Sequence, residues 1–250
     1  MLKINTDAET TTPEEQSDVV GRFRSGYQID GDPASLSAFR ITTGDPNVAK
    51  AVAKAFGVDK TKLGDEATKD GVQEWDAAGE DYLEVFTTTD TVNIILEGAG
   101  SYRSSLVRRT KDGDFMYATD GEVITAVGED FEDEYEVGNP DPQLSQDLTT
   151  RKAKAKKGLG SSPDIRVKFT VADHPEWGTF EFRSGGWSLV HNDPEPKLRR
   201  LPEGPIKAVL KLTTVEGKRF TWTKPELIVR GSVGAAEKPE VAGDEDKPAF

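Results

Sequence analysis

Residues 174–190 read HPEWGTFEFRSGGWSLV. The run holds two of the chain's four tryptophans, a Gly-Gly pair and the first of its two histidines. It is either an active site or a strand–turn–strand unit rich in aromatics, and the choice decides both fold and function class. GTFEFRS and WSLV alternate well enough to be strands, with Gly185 and Gly186 punctuating them. FRSGGWS supplies a serine but lacks the flanking glycines of a nucleophile elbow. The stretch is read as β scaffold with a docking edge.

The same alternation continues outward. IRVKFTV precedes it, and IKAVLKLTTV, KRFTWT and ELIVRGSV follow, with VEGKR as a hairpin turn. These make a C-terminal β-rich block over residues 165–233. Toward the N-terminus, LSAFRITT alternates with a shift in its middle that suits a bulge. The segment GDPNVAKAVAKAFG then carries a complete helix signature. Asp45 can cap the first free amides, Pro46 suits the first turn and Gly57 suits a left-handed stop. Val48, Val52, Ala55 and Phe56 share one face, predicting a short helix packed on a sheet.

DYLEVFTTTDTVNIIL reads as two strands, and its polar TTTDT is either a hairpin or a continuation. SYRSSLVRRT, DFMYAT and EVITAV read as three more strands, turned by KDGD and DG. Residues 19–128 thus form an N-terminal α+β block. The predicted class is α+β, mainly antiparallel β with a short packed helix: two β-rich blocks joined by a charged linker at 129–164. Within that linker, QLSQDLTT reads as a possible helix between an acidic and a basic flank. Residues 1–18 read as a disordered arm and 234–250 as a disordered acidic tail.

Charge is unevenly spread. The formal charge is −13, and residues 1–18, 129–136 and 237–250 account for −4, −6 and −3 of it. The remainder is neutral on balance, so net charge alone does not exclude local contact with DNA. The chain contains no cysteine, which excludes disulfides and cysteine–zinc sites. With no signal segment and no long apolar run, a soluble cytoplasmic protein is expected.

Catalytic groups are scarce. His174 and His191 stand near Asp173, Glu176 and Asp193, but the spacing matches no compact metal motif, and exposed loop histidines are the plainer reading. GLGSS and GSVGAA lack the lysine–threonine partner of a phosphate loop. The basic run Arg151, Lys152, Lys154, Lys156 and Lys157 could neutralise roughly five phosphates, but it reads better as a solvated linker face. Trp177, Phe180, Phe182 and Trp187 could stack bases, although the phenylalanines read better as core.

The order VVGRFRSGY, LSAFRITTGDPNVAKAVAKAFG, EDYLEVFTTTDTVNIIL and VRRTKDGD resembles the first half of phage recombination directionality factors that work with large serine integrases. RVKFTVADHPEWGTFEFRSGGW and RFTWTKPELIVRGS are similar to their second half. The resemblance covers residues 19–128 and 165–232. It implies a protein that is not an enzyme, needs no cofactor and acts in the bacterial host cell. Such a factor binds the phage serine integrase in its DNA-bound synaptic complex, at the mobile coiled-coil region, with weak or no direct DNA binding. Binding moves recombination from integration toward prophage excision.

Two departures stand out. Relatives carry cysteines around SYRSSLVRRTKDGDFMYATDGEVITAVG, where this chain has none. HNDPEPKLRRLPEGP, helical in relatives, has four prolines and is expected to be largely loop. No family motif of functional residues carries over. The interface residues expected on chemical grounds are Trp177, Arg183 and Trp187, since tryptophan and arginine dominate hot spots; a core role is the alternative for both tryptophans. Two other functions are weighed: a single-stranded nucleic-acid-binding accessory protein, and a small metal-dependent hydrolase using His174 and His191.

Overall fold

The computed structural model describes residues 19–29, 32–75, 81–217 and 221–234. The arm at 1–18, and the tail beyond residue 234, lie outside the described residues. The chain begins with an antiparallel pair, β1 (Val19–Ile29) and β2 (Asp32–Thr43). The shift expected in LSAFRITT is present and is larger than a single-residue bulge. Arg24 pairs with Arg40 while Gly26 already pairs with Ser35, so β2 arches out between them.

Helix α1 (Pro46–Phe56) follows as the capping signature requires. The Asp45 carboxylate accepts from the amides of Asn47 and Val48, and Gly57 ends the helix at a φ of 69°. Its buried face is Val48, Ala49, Val52 and Ala53; Ala55 is exposed, so the apolar stripe is rotated from the one expected. Strands β3 (Gln73–Glu74), β4 (Leu83–Phe86) and β5 (Thr91–Leu96) come next. TTTDT is neither a hairpin nor an extension. It carries the chain between separate parts of the sheet, held by backbone bonds from Thr87 to Phe39 and from Phe39 to Thr89.

Strands β6 (Tyr102–Arg109), β7 (Phe115–Thr119) and β8 (Ile124–Val127) form the expected meander. The charged excursion that follows is fastened to it. Val123 bridges to Pro140, Tyr117 meets Tyr135 at 4.7 Å, and helix α2 (Leu148–Lys156) starts on an Asp147 cap. The helix therefore begins five residues later than QLSQDLTT suggested and runs through the basic stretch.

Strands β9 (Ser162–Val171) and β10 (His174–Ser184) complete the centre of the sheet. WSLV is then a helical turn, α3 (Trp187–His191), and not a strand. Four residues are too few for periodicity to separate the two states. Here Leu189 is fully buried and Val190 packs half-buried against the same core, neighbours that a strand would send to opposite faces. The proline-rich segment after it contains one short helix, α4 (Glu195–Leu198), and Leu198 is buried. Strands β11 (Ile206–Glu216) and β12 (Thr221–Ser232) form the final hairpin. Lys218, Arg219 and Phe220 lie outside the described residues; from Thr221 on, TWT and ELIVRGS are one strand despite Pro225, which is tolerated because no further strand pairs with the outer edge of β12.

All twelve strands join one sheet in the order β12-β11-β5-β9-β10-β1-β2-β4-β3, with β6, β7 and β8 branching from β9. Strands of both sequence blocks interleave in it: β9 and β10 stand between β5 and β1. Among the described pairs only β1 with β10 is parallel. One face of the central strands carries the core. Phe23 lies at its middle, meeting Phe39, Phe169 and Phe180 edge-on at 5.4, 5.2 and 5.2 Å. Such edge contacts contribute roughly 0.5–1.5 kcal/mol each beyond area burial. Among the described residues no helix is long and apolar enough to cross a membrane.

Candidate functional site

Because strand side chains alternate between faces, burying Phe23, Ile41, Val167 and Phe182 on one side commits their neighbours to the other. Those neighbours are arginines on strand after strand. The registers place Arg103 of β6 opposite Arg166 of β9, and Arg166 opposite Arg183 of β10. Phe23 pairs with Phe182, so the next residues, Arg24 and Arg183, stand side by side. Arg24 of β1 in turn faces Arg40 of β2. Five arginines thus form one row across five adjacent strands, roughly 19 Å long at a strand spacing of about 4.8 Å. Like charges directly opposite one another in a sheet are destabilising, by up to about 1 kcal/mol per pair.

Carboxylates and aromatic rings hold this row in place. Arg40, 6% exposed, donates through Nε and Nη2 to Glu84 at 2.5 Å, and Gln73 donates to the other Glu84 oxygen at 2.6 Å. Its guanidinium lies 4.3 Å from the centre of the Trp75 ring. That ring is itself fixed by donating to the Asp81 carbonyl at 2.5 Å. Arg22, one row below, is paired with Asp81 and Glu181. Arg183 is paired with Glu181, and Arg166 with Asp164 at 2.9 Å.

Arg24 and Arg103 differ. Among the described residues neither has a carboxylate within ion-pair distance. Arg24 donates to the Thr42 hydroxyl at 3.0 Å and lies 5.2 Å from the Trp75 ring centre. Burial first, then the neighbouring Arg40 and Arg22, pull its pKa below the ordinary arginine value. Two depressions meet at Arg183. One, of about 200 Å³, is lined by Arg22, Phe23, Arg24, Ser25, Gly26 and Arg183. The other, a groove of about 640 Å³, adds Arg108, Arg109, Lys111 and Arg166 to Arg183.

The residues singled out from the sequence are distributed as follows. Arg183 sits in the middle of the row with its side chain 51% exposed. Trp177 is on the opposite face, packed against Phe56 and Phe180 and stacked on His174 at 4.1 Å. Trp187 opens α3, half-buried beside the core residue Leu189. The three do not form one surface. Arg151 points inward, paired with Asp141 at 3.0 Å and donating to the carbonyls of Gln143 and Gly121. Lys152 and Lys156 are exposed on α2, Lys157 is exposed just after it and Lys154 is half-buried. Helix α2 leads to Gly158, whose carbonyl accepts from Arg108 at 2.6 Å.

His174 bonds Glu176 at 3.2 Å, and His191 is exposed at the end of α3. Among the described residues no three His, Cys, Asp or Glu side chains are placed to share a metal ion.

Sequence reasoning missed Arg22, Arg24, Arg40, Arg103 and Arg166. Their signal was present: GRFR, AFRIT, YRSS and IRVKF each set an arginine on the polar phase of an alternating strand. Only the register reveals that these phases coincide.

No solved structure matches this chain. A family model described as Gp3-like, recombination directionality factor-like, matches residues 20–195. The match spans the whole arginine row and also the charged excursion, and it stops before β11. Covering well over half of the chain and most of the strands of its sheet, it places the protein in the recombination directionality factor-like family.

Proposed function

We propose that the chain is a non-enzymatic regulator that binds a phage serine integrase within its DNA-bound synaptic complex and turns it from integration toward prophage excision. The observation that carries this reading is the family match over residues 20–195. Such a factor needs no chemistry of its own. It acts by binding one arrangement of the recombinase better than another, and a preference of about 5.5 kcal/mol takes an equilibrium from 1:99 to 99:1. Of the three residues expected at the interface, Arg183 faces outward and is the proposed contact; Trp177 packs against the core on the opposite face, and Trp187 is half-buried at the start of α3. The partner works in the host cytoplasm, and this factor acts there with it.

The test is recombination in vitro with the integrase of the same phage. Adding the purified chain is expected to permit recombination between the two hybrid attachment sites and to suppress it between the phage and bacterial sites. If both reactions proceed as they do without it, the proposal fails. The nucleic-acid reading is disfavoured by packing: Phe180 and Phe182 are fully buried and present no ring for a base to stack on.

A further inference from the structure

The arginine row is costly to build and only partly neutralised from within. Glu84 takes up the buried Arg40, while Asp164 and Glu181 pair with the more exposed Arg166 and Arg183, whose guanidinium groups each carry five N–H donors, more than one carboxylate uses. Arg24 and Arg103 have no carboxylate among the described residues. At the β2 end the row is roofed by Trp75, where Arg40 is buried. Toward β6 it is open: Arg103 is exposed, and the side chains of Arg166 and Arg183 are 36% and 51% exposed. The surface is therefore a preformed strip of guanidinium forks with an excess of donors.

The spacing and composition of the strip indicate its occupant. Arginines recur about every 4.8 Å across the strands, close to the roughly 5.4 Å pitch of an α-helix. A helix laid across the strands with one carboxylate per turn would meet them in step. The row contains arginine and no lysine, as protein interfaces favour, and its carboxylates lie among the cations where a continuous phosphate backbone would be repelled.

We propose that the row Arg103–Arg166–Arg183–Arg24 receives an acidic face of the recombinase, a helix bearing a stripe of Asp or Glu. This rests on the function proposed above and specifies the chemistry of its contact. The row supplies the charge-assisted forks and Trp75 holds its inner end rigid, so little side-chain freedom is lost on docking.

The experiment measures the affinity of the full chain for the integrase of the same phage, for wild type, R103E/R183E and R103K/R183K. Both positions are exposed, and circular dichroism with a thermal melt confirms that each variant is folded. Charge reversal is expected to weaken binding roughly 100-fold, as like-charge juxtaposition does. The lysine variant should stay within about ten-fold of wild type, since the charge remains and only the fork is lost. Wild-type affinity for R103E/R183E overturns the inference and leaves the function standing. A wild-type chain that does not bind the integrase at all removes both. A parallel titration uses duplex DNA carrying an attachment site, without integrase, at about 0.15 M salt, where charges are screened beyond about 8 Å. No binding is expected. Wild-type binding that R103E/R183E abolishes would make the row a phosphodiester site and overturn the inference.

Discussion

Asp193 and Glu195 bring two carboxyl groups into a half-buried corner beneath Tyr102. Asp193 accepts from the Glu195 amide at 3.0 Å, and Glu195 Oε1 accepts from Arg199 at 2.8 and 2.5 Å. Among the described residues the buried Glu195 Oε2 has no hydrogen-bond partner. Desolvation raises the pKa of both carboxyls, so the folded chain holds their protons more tightly than the unfolded chain does. Their contribution to stability is therefore fully present below the unfolded value of about 4 and is lost as pH rises through the folded value. Asp193→Asn keeps the acceptor for the Glu195 amide and removes one of the two titrations. Urea unfolding at a series of pH values should show a shallower decline on the alkaline side of pH 4 for the variant than for wild type. Parallel curves would show that Asp193 does not titrate abnormally.

At the scale of elements, the charged excursion between β8 and β9 depends on one inward cation. Arg151 is 8% exposed, is paired with Asp141 and reaches two carbonyls on either side. Arg151→Leu would leave the Asp141 carboxylate buried and unpaired, a loss of roughly 3–5 kcal/mol if the packing is kept. The expected outcome is faster amide exchange confined to residues 129–161, with β9 and β10 still protected. Unchanged exchange across the excursion would mean that other contacts hold it.

The legibility of each element followed from whether its cause was local. Helix α1 was readable to the residue because Asp45, Pro46 and Gly57 are chemical signals at fixed offsets. Strands β6 to β10 were readable from alternation. The excursion read as a loose linker because what fastens it, Arg151 to Asp141 and Tyr117 to Tyr135, joins residues far apart in the chain. WSLV became α3 for a similar reason, since the site that receives Leu189 is built by other elements. The arginine row was invisible as a row: each arginine had an ordinary strand position, and the pairing that aligns them is a property of topology.

At the scale of the molecule, neither half holds a complete core. Phe23 and Phe39 of the first half pack on Phe169, Phe180 and Phe182 of the second, and β5 pairs with both β9 and β11. A fragment of residues 19–128 would expose β1 and β5 along edges that the intact sheet covers. It is expected to lack a cooperative thermal transition, and to recover one when mixed with residues 129–234. A fragment that melts cooperatively alone would show that the halves are separable.

The side-by-side run of β1 and β10 links residues roughly 160 positions apart, Phe23 with Phe182. At about 5–20 residues per second on the ribosome, the first strand waits roughly ten to thirty seconds for its partner to be made. Throughout that interval Phe23, Phe39 and their neighbours have no proper cover, which is when a chaperone would find them. The yield of this protein in a cell is therefore expected to depend on what shelters β1 and β2 while the rest is synthesised.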